Sequence, residues 1–437
     1  MRSIYAKFLL LFLFFGHSFG LFAQGVSLKE AVQMAIENRW ELKNQQLQLQ
    51  LSQGENDKLR AKWLPQVNAS ADARWNTQLQ TSVFKNAPFA NGQDVKLVLG
   101  VPFNNTLGLS AEQKIVDATA KYDRQINQAN VESQQIALNK LKLDIKFVVI
   151  EAYYAALFQA EKMQFAQKTL QRAGNNLEVG KTKFEQGVLL KNDFDRLLLD
   201  ENLAKSSLAN AEQAYILSSK NLKYVIGEKA EQPLVLVETL ENLFESVQGN
   251  PNVEGQRFEI LQEQNALKIN ELTGQKQQTR LAPIISAYGN YTVLQLNDKF
   301  NPFSAGTWFP FNYVGVKLNV PVFDGKQTKL FKNDYAIRTQ INKNTIEKLK
   351  ADIDYEIQSA ITSLNQEKMN LTDAKANLAL AQQILQTDQL RYEKGTLLSS
   401  DLKNTEYSLQ TAENNYLTSV YNFLVATVRY QKAVGEE

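Results

Sequence analysis

Residues 184–193 read FEQGVLLKND and residues 392–401 read YEKGTLLSSD. In both, an aromatic precedes a glycine by three positions, a Leu-Leu pair follows, and an aspartate stands six after the glycine; the copies are offset by 208 residues. Glycine takes φ > 0 without steric cost, so Gly187 and Gly395 can each end a helix. Asp193 and Asp401 can each open the next helix by capping it, a contribution of about 1 kcal/mol. Beyond these carboxylates the chain offers little chemistry. It has no cysteine, and its single histidine, His17, lies at the N-terminus, so the remainder lacks the usual general base and the commonest transition-metal ligand. There is no phosphate loop, no GxSxG, no metal-spaced His or Cys, and no nucleophile–base pair to nominate. Carboxylate pairs on the helices fit solvated faces and i,i+4 partners. The sequence predicts no enzyme, no cofactor and no bound metal.

The N-terminal residues place Arg2 and Lys7 before an apolar run, Phe8 to Phe15, with small Ala23 after it. That is the layout of a secretory signal peptide over 1–23, with an uncleaved anchor as the runner-up. No Cys follows the run, which excludes a lipoprotein anchor. With 48 Lys and Arg against 46 Asp and Glu, both signs dispersed, there is no electrostatic footprint for nucleic acid. No later segment has eighteen consecutive apolar residues, so a membrane role must come through strands.

The elements that must position the two tips are mapped by proline. All nine prolines fall at 65, 88, 102, 233, 251, 283, 302, 310 and 321, leaving 103–232 and 322–437 free of them. Proline breaks helix interiors, so these stretches invite very long helices. Ile357, Leu364, Leu371, Leu378, Leu385 and Tyr392 recur every seven residues before the second tip, and Leu402, Leu409, Tyr416, Phe423 and Tyr430 do so after it. Small residues such as Ala412, Ser419 and Ala426 shadow the second series, as in a coiled-coil seam where helices approach closely. Subtracting 208 reproduces most of the pattern in the first half, from Met163, Leu170, Leu177 and Phe184 to Tyr215 and Leu222. Near the prolines, QVNASADARW, DVKLVLGVPF, IISAYGNYTV and NYVGVKLNVPV alternate with period two, as strands do. Trp75, Phe103, Trp308, Phe309, Phe311, Tyr313 and Phe323 flank these strands as interfacial belts do. The loops 81–93 and 297–311 would then be extracellular.

The fold class predicted is mainly α with a small β part, internally duplicated, with long coiled-coil α-hairpins and four strands per chain. The first repeat covers 24–226: opening helices 27–62, strands 66–80 and 94–103, a long helix 105–186 of roughly 120 Å, a tip 187–192 and a return helix 193–226. A linker follows over 227–255. The second repeat covers 256–432, with opening helix 256–281, strands 284–296 and 312–323, long helix 325–394, tip 395–400 and return helix 401–432, before a tail 433–437. Four strands leave two open edges, which lipid does not tolerate, and the smallest bacterial barrels use about eight. If the strands sit in a membrane, several chains must share one barrel.

The sequence resembles the TolC-type outer membrane efflux protein family across essentially the whole chain after the signal. SLKEAVQMAIENRWELKNQQ is similar to the family's first helix, AKWLPQVNASADARW and TRLAPIISAYGNY to the paired starts of its strands, and LNVPVFDGKQ to the end of its last strand. FEQGVLLKND and YEKGTLLSSD resemble its two periplasmic hairpin tips. The resemblance implies a homotrimer sharing a transmembrane β-barrel in outer-membrane lipid and continuing as a periplasmic α-helical barrel. Such a channel passively conducts substrates delivered by a periplasmic adaptor and, indirectly, an inner-membrane transporter, in efflux or type I secretion. It implies that Gly187, Val188, Leu189 and Leu190, with Gly395, Thr396, Leu397 and Leu398, dock the adaptor. It also implies a periplasmic gate, with Tyr392, Asp193 as its acceptor, and Asp401 matching family positions. Leu397 replaces the family's gate arginine and Asn404 a second acidic residue, which weakens the latch. The competing classes are a periplasmic adaptor, which normally carries one hairpin, and a soluble coiled-coil scaffold, which leaves four alternating strands unexplained.

Overall fold

Ser27 caps the first helix. Its hydroxyl accepts from the Glu30 amide at 3.3 Å, while the Glu30 carboxylate accepts from the Ser27 amide at 2.9 Å, a reciprocal capping box. The computed structural model describes residues 25–228, 234–247, 257–304, 307–394 and 396–435. The expected signal peptide, Gly395, and parts of the expected linker and tail lie outside the described residues.

In chain order the elements are β1 (Gly25–Val26), α1 (Leu28–Asn38), α2 (Trp40–Ala61), β2 (Gln66–Trp75), β3 (Gln80–Ala87), β4 (Gln93–Leu99), β5 (Phe103–Val116), α3 (Thr119–Glu185), α4 (Lys191–Ile226), β6 (Val235–Leu236), α5 (Leu240–Val247), α6 (Phe258–Gln278), β7 (Ile284–Asn297), β8 (Trp308–Asn319), α7 (Gln327–Glu393) and α8 (Ser399–Val434). The chain divides into two units, one of residues 1–47, 136–261 and 347–437, the other of 48–135 and 262–346.

The second unit holds a four-stranded antiparallel sheet in the order β2-β5-β7-β8. Here the structure corrects the sequence reading. Residues 103–116 form a sheet strand, and the long helix starts at Thr119 rather than at 105. The segment expected as strand 94–103 instead forms β4, which pairs with β3 in a separate hairpin. Freedom from proline permits a strand as readily as a helix, and NNTLGLSAE alternates Leu107, Leu109 and Ala111 with Thr106, Ser110 and Glu112. Pro102 precedes β5, whereas Pro321 follows β8. The final strand covers 308–319, not 312–323.

The first unit is built from the helical hairpins α3/α4 and α7/α8. Each long helix has 67 residues, about 100 Å of contour at 1.5 Å per residue, and each return helix has 36. All four helix boundaries of one hairpin map onto the other by adding 208. The heptad positions pack as their spacing requires, with Leu371, Leu385, Leu409, Phe423 and small Ala412 and Ala426 all buried. Segment 234–247 braces this unit: β6 pairs with β1, the Tyr153 hydroxyl bonds Glu238 and the Val26 carbonyl, and Phe244 meets Phe423 edge-on. Burial and the neighbouring Glu238 push the Tyr154 hydroxyl up to about 12.

Candidate functional site: the sheet wall and the hairpin tips

Strand register sorts the sheet into two unlike faces. Pairing of Ala71 with Leu107, Leu107 with Val293 and Val293 with Pro310 puts these residues on one face. The same face carries Val67, Leu109, Tyr291, Val314, Val316 and Leu318, all exposed. Among its polar members, Asn105 donates its Nδ2 to Gln295 Oε1 at 2.8 Å. The opposite face carries Asn68, Ser70, Asp72 and Arg74 of β2, Thr106, Ser110 and Glu112 of β5, and Asn290 and Thr292 of β7. An apolar surface this broad on an otherwise polar chain marks a contact surface for lipid or protein. β2 and β8 are the outer strands, so each leaves one row of backbone groups unpaired among the described residues.

The expected aromatic belt divides between these faces. Trp75, Phe103 and Trp308 lie at one end of the apolar face, where Trp75 stacks on Phe103 with centroids 6.2 Å apart. Phe309, Phe311 and Tyr313 fall on the polar face by register, so they belong to no belt with the first three. Phe323 stands beyond the other end of β8 and is 77% exposed.

At the first tip, Gly187 adopts φ +76°, and the Val188 and Leu189 amides return to the Lys183 carbonyl at 2.9 and 3.2 Å. This closes α3 in the manner of a Schellman turn. Val188 and Leu190 are exposed, whereas Leu189 folds back towards Gly180 beside Leu197. At the second tip Thr396 and Leu398 are exposed and Leu397 is half-buried. Neither aspartate is the cap. Leu190 and Leu398 occupy the cap positions without a side-chain hydrogen bond, because the helices begin two residues before the aspartates. Asp193 and Asp401 instead sit in the first helical turn, where the helix dipole favours an anion. The Tyr392 hydroxyl accepts from Lys183 Nζ at 3.3 Å, and that ammonium lies 4.8 Å from the ring centroid. Asp193 lies 4.0 Å from Arg196, and Asn404 lines a groove between α7 and α8. No group of residues suited to holding a metal ion occurs among the described residues.

The sequence model of the outer membrane efflux protein family matches residues 31–228. Outer membrane protein TolC of Vibrio cholerae is 21% identical over 394 residues, spanning 86% of this chain and 83% of that protein. In sequence the chain is thus similar to outer membrane efflux proteins over residues 31–228, and more distantly to this relative over most of its length. Crystal structures share its fold: CusC, described with the conformational changes that accompany folding and transmembrane channel formation, superposes with TM-score 0.74 at 16% identity over 95% of this chain and 94% of its own. The open-state MtrE outer membrane channel of Neisseria gonorrhoeae superposes with TM-score 0.68 at 16% identity, covering 93% and 88%. At this identity the two likenesses show a shared fold. No helix among the described residues is long and apolar enough to cross a membrane.

The structure also shows a duplicated arginine that the sequence reading missed. Arg39 donates to the Val225 carbonyl at 3.2 Å, and Arg257 donates to the Ala433 carbonyl at 2.7 Å. Each acceptor lies in the last turn of a return helix, and each arginine also pairs with a glutamate two residues on, Glu41 or Glu259. A cation over the last carbonyls satisfies unpaired acceptors and the helix dipole together. The signal was present as RWE at 39–41 and RFE at 257–259, but at an offset of 218 rather than 208.

Proposed function

We propose that this chain is one subunit of a homotrimeric duct that conducts substrates passively through the outer membrane. The sheet's apolar face meets lipid and its polar face lines the bore. The outer edge strands are completed by neighbouring copies, giving twelve strands when three chains each contribute the four of one sheet. The helical hairpins lie in the periplasm, where the exposed Val188, Leu190 and Leu398 offer a small apolar surface to a periplasmic adaptor fed by an inner-membrane transporter. Tyr392, Asp193 and Asp401 serve the gate at these tips, and the Lys183–Tyr392 contact holds the two tips of one chain together. Efflux or type I secretion are the processes such a duct serves.

The observation that carries the proposal is the division of one open-edged sheet into an apolar and a polar face. The chain lacks cysteine, so single cysteines report cleanly. Ser110→Cys, on the polar face, is expected to let a charged thiol reagent reduce single-channel conductance in a planar bilayer. Leu109→Cys, one residue away on the apolar face, is expected to leave conductance unchanged. Equal effects at both positions contradict the face assignment, and absence of conductance from well-folded oligomer contradicts the duct.

A further inference from the structure

We propose that β8, helped by one tyrosine of β7, carries an aromatic track along the bore for solutes bearing a flat apolar ring with polar groups at its edge. The inference rests on the reading that the polar face of the sheet lines the bore, and it assigns that wall a ligand.

Strand register stands Phe309, Phe311 and Tyr313 in one column of the polar face, beside Leu294, Thr292 and Asn290 of β7. Alternate residues of a strand lie about 6.8 Å apart, so one flat molecule spans two consecutive rings. The column does not end at Tyr313. Gly315, next in line, has no side chain, and the Tyr288 ring lies over it: a β-carbon there would stand 2.9 Å from the Tyr288 hydroxyl oxygen. Tyr288 meets Tyr313 edge-on with centroids 6.0 Å apart. The four rings form a stripe roughly 20 Å long.

These rings are open. Phe309 is 54% exposed, Phe311 and Tyr313 49% each, and Tyr288 38%. Single apolar residues on a surface need no explanation, but a continuous aromatic stripe across an otherwise polar face marks a contact surface. Neither flank of β8 covers it. The chain between β7 and β8 is tied to the apolar face instead: Gln295 donates to the Asn301 carbonyl at 2.8 Å, Trp308 donates to the Pro302 carbonyl at 3.2 Å, and Phe300 packs on Phe103 at 5.7 Å. A second copy that completes the β8 edge with its own β2 brings Gln66, Asn68, Ser70, Asp72 and Arg74 to this face, none of them apolar.

The surroundings set the ligand's chemistry. Thr292, Gly108 and Ser70 continue the Phe311 row across the sheet, and Asn290, Ser110 and Asn68 continue the Tyr313 row. A flat ring stacked on the column removes two apolar faces from water, and its polar edge groups meet the hydroxyls and amides of the adjoining strands. A hydrated inorganic ion gains nothing from the rings.

Saturation-transfer NMR on the oligomer in lipid nanodiscs tests this, with protein-free discs as the baseline. Phenyl β-D-glucoside is the neutral, water-soluble probe, and methyl β-D-glucoside is its counterpart without the aromatic ring. Saturation is expected on the phenyl protons of the first and to be weak throughout the second. Phe309→Ser/Phe311→Ser/Tyr313→Ser is expected to lower the phenyl signal about tenfold. Because that variant removes three rings at once, single cysteines give a second reading. Tyr313→Cys carrying a charged thiol reagent is expected to reduce both the phenyl signal and the conductance, and Val314→Cys, on the apolar face, neither. An undiminished phenyl signal in the folded triple variant, or saturation confined to sugar protons, overturns the track. So does conductance reduced at labelled Ser110→Cys with no phenyl saturation, and that result leaves the duct standing. Unchanged conductance at both labelled Ser110→Cys and Tyr313→Cys overturns the face assignment on which both rest.

Discussion

The hairpins α3/α4 and α7/α8 have identical helix lengths but unlike surroundings. One receives α8 through Arg172, Asn176 and Asp200; the other presents its groove, with Leu380 and Ile384 exposed. Small residues recur at matched places, Ala173 with Ala381 and Ala204 with Ala412, because helices that approach closely need them. Side chains around those fixed points are free to differ. The difference teaches that the repeat stores a backbone geometry, while charge and apolarity decide what each copy of that geometry binds. The tips show the same division: buried Gly180 faces Leu197 in the first, whereas Asp388 accepts from the Thr405 hydroxyl at 2.7 Å in the second, at the same pair of positions plus 208.

The largest effect is expected at the paired arginines. Both side chains are mostly buried, and Arg257 adds a bond to Glu356 at 2.9 Å that Arg39 has no counterpart for among its own contacts. Arg257→Ala is expected to cost about 3 kcal/mol and Arg39→Ala about 2 kcal/mol, by loss of charge-assisted bonds to helix-end carbonyls. Denaturant titration of the detergent-solubilised protein measures both, and equal losses would show that the Glu356 bond contributes nothing.

Next come the tips. A β-carbon at Gly180 would stand 2.2 Å from the Leu197 Cδ1, so Gly180→Val is expected to destabilise by about 2 kcal/mol through overpacking. Thr405→Val removes one hydrogen bond, about 1 kcal/mol, while Asp388 keeps Arg391 at 3.2 Å. A reversed order would mean that the first tip yields more readily than its packing implies.

A pH comparison follows. Burial raises the Glu161 carboxyl above its ordinary value of 4.5, against the Leu240 amide that donates to it at 2.9 Å, and Glu241 adds to the rise. A raised carboxyl holds its proton more tightly when folded, so its contribution is favourable in acid and is lost as pH rises from 4.5 through the folded value. Glu161→Gln keeps the acceptor for Leu240 and is expected to flatten that slope. The matched position in the second hairpin is exposed Met369, where Met369→Gln is expected to change nothing. Melting temperatures across this window for the three proteins decide it; an unchanged slope in Glu161→Gln removes the assignment.

The smallest effect is expected at the exposed ionic seam. Lys403 is 52% exposed beside Asp200, so Asp200→Asn is expected to cost about 0.5 kcal/mol and less in high salt. Salt-insensitive loss would place the pair outside solvent.

Much of this architecture was legible in the sequence because heptads announce themselves over many turns: Leu364, Leu371, Leu378 and Leu385 carry the same message repeatedly. β5 was hidden because its few alternating residues adjoin a long helix with no proline between them. The capping role of Asp193 failed for a local reason, since backbone geometry starts α4 at Lys191 and leaves the cap position to Leu190. The tips were legible through Gly187, whereas Lys183 as partner of Tyr392 was not, because a cation on a helix face looks like any solvated lysine until the second hairpin arrives beside it. The apolar and polar sheet faces could be read strand by strand, but a last strand expected from 312 left Trp308, Phe309 and Phe311 in a loop; β8 begins at Trp308, so Phe309 and Phe311 take the face opposite to it.

The central claim is that unpaired strand edges of this sheet are closed by further copies of the chain. Native mass spectrometry of the protein released from detergent micelles tests it most directly. The account predicts a single species of three chain masses; a one-chain species that stays dispersed in water without detergent would contradict it.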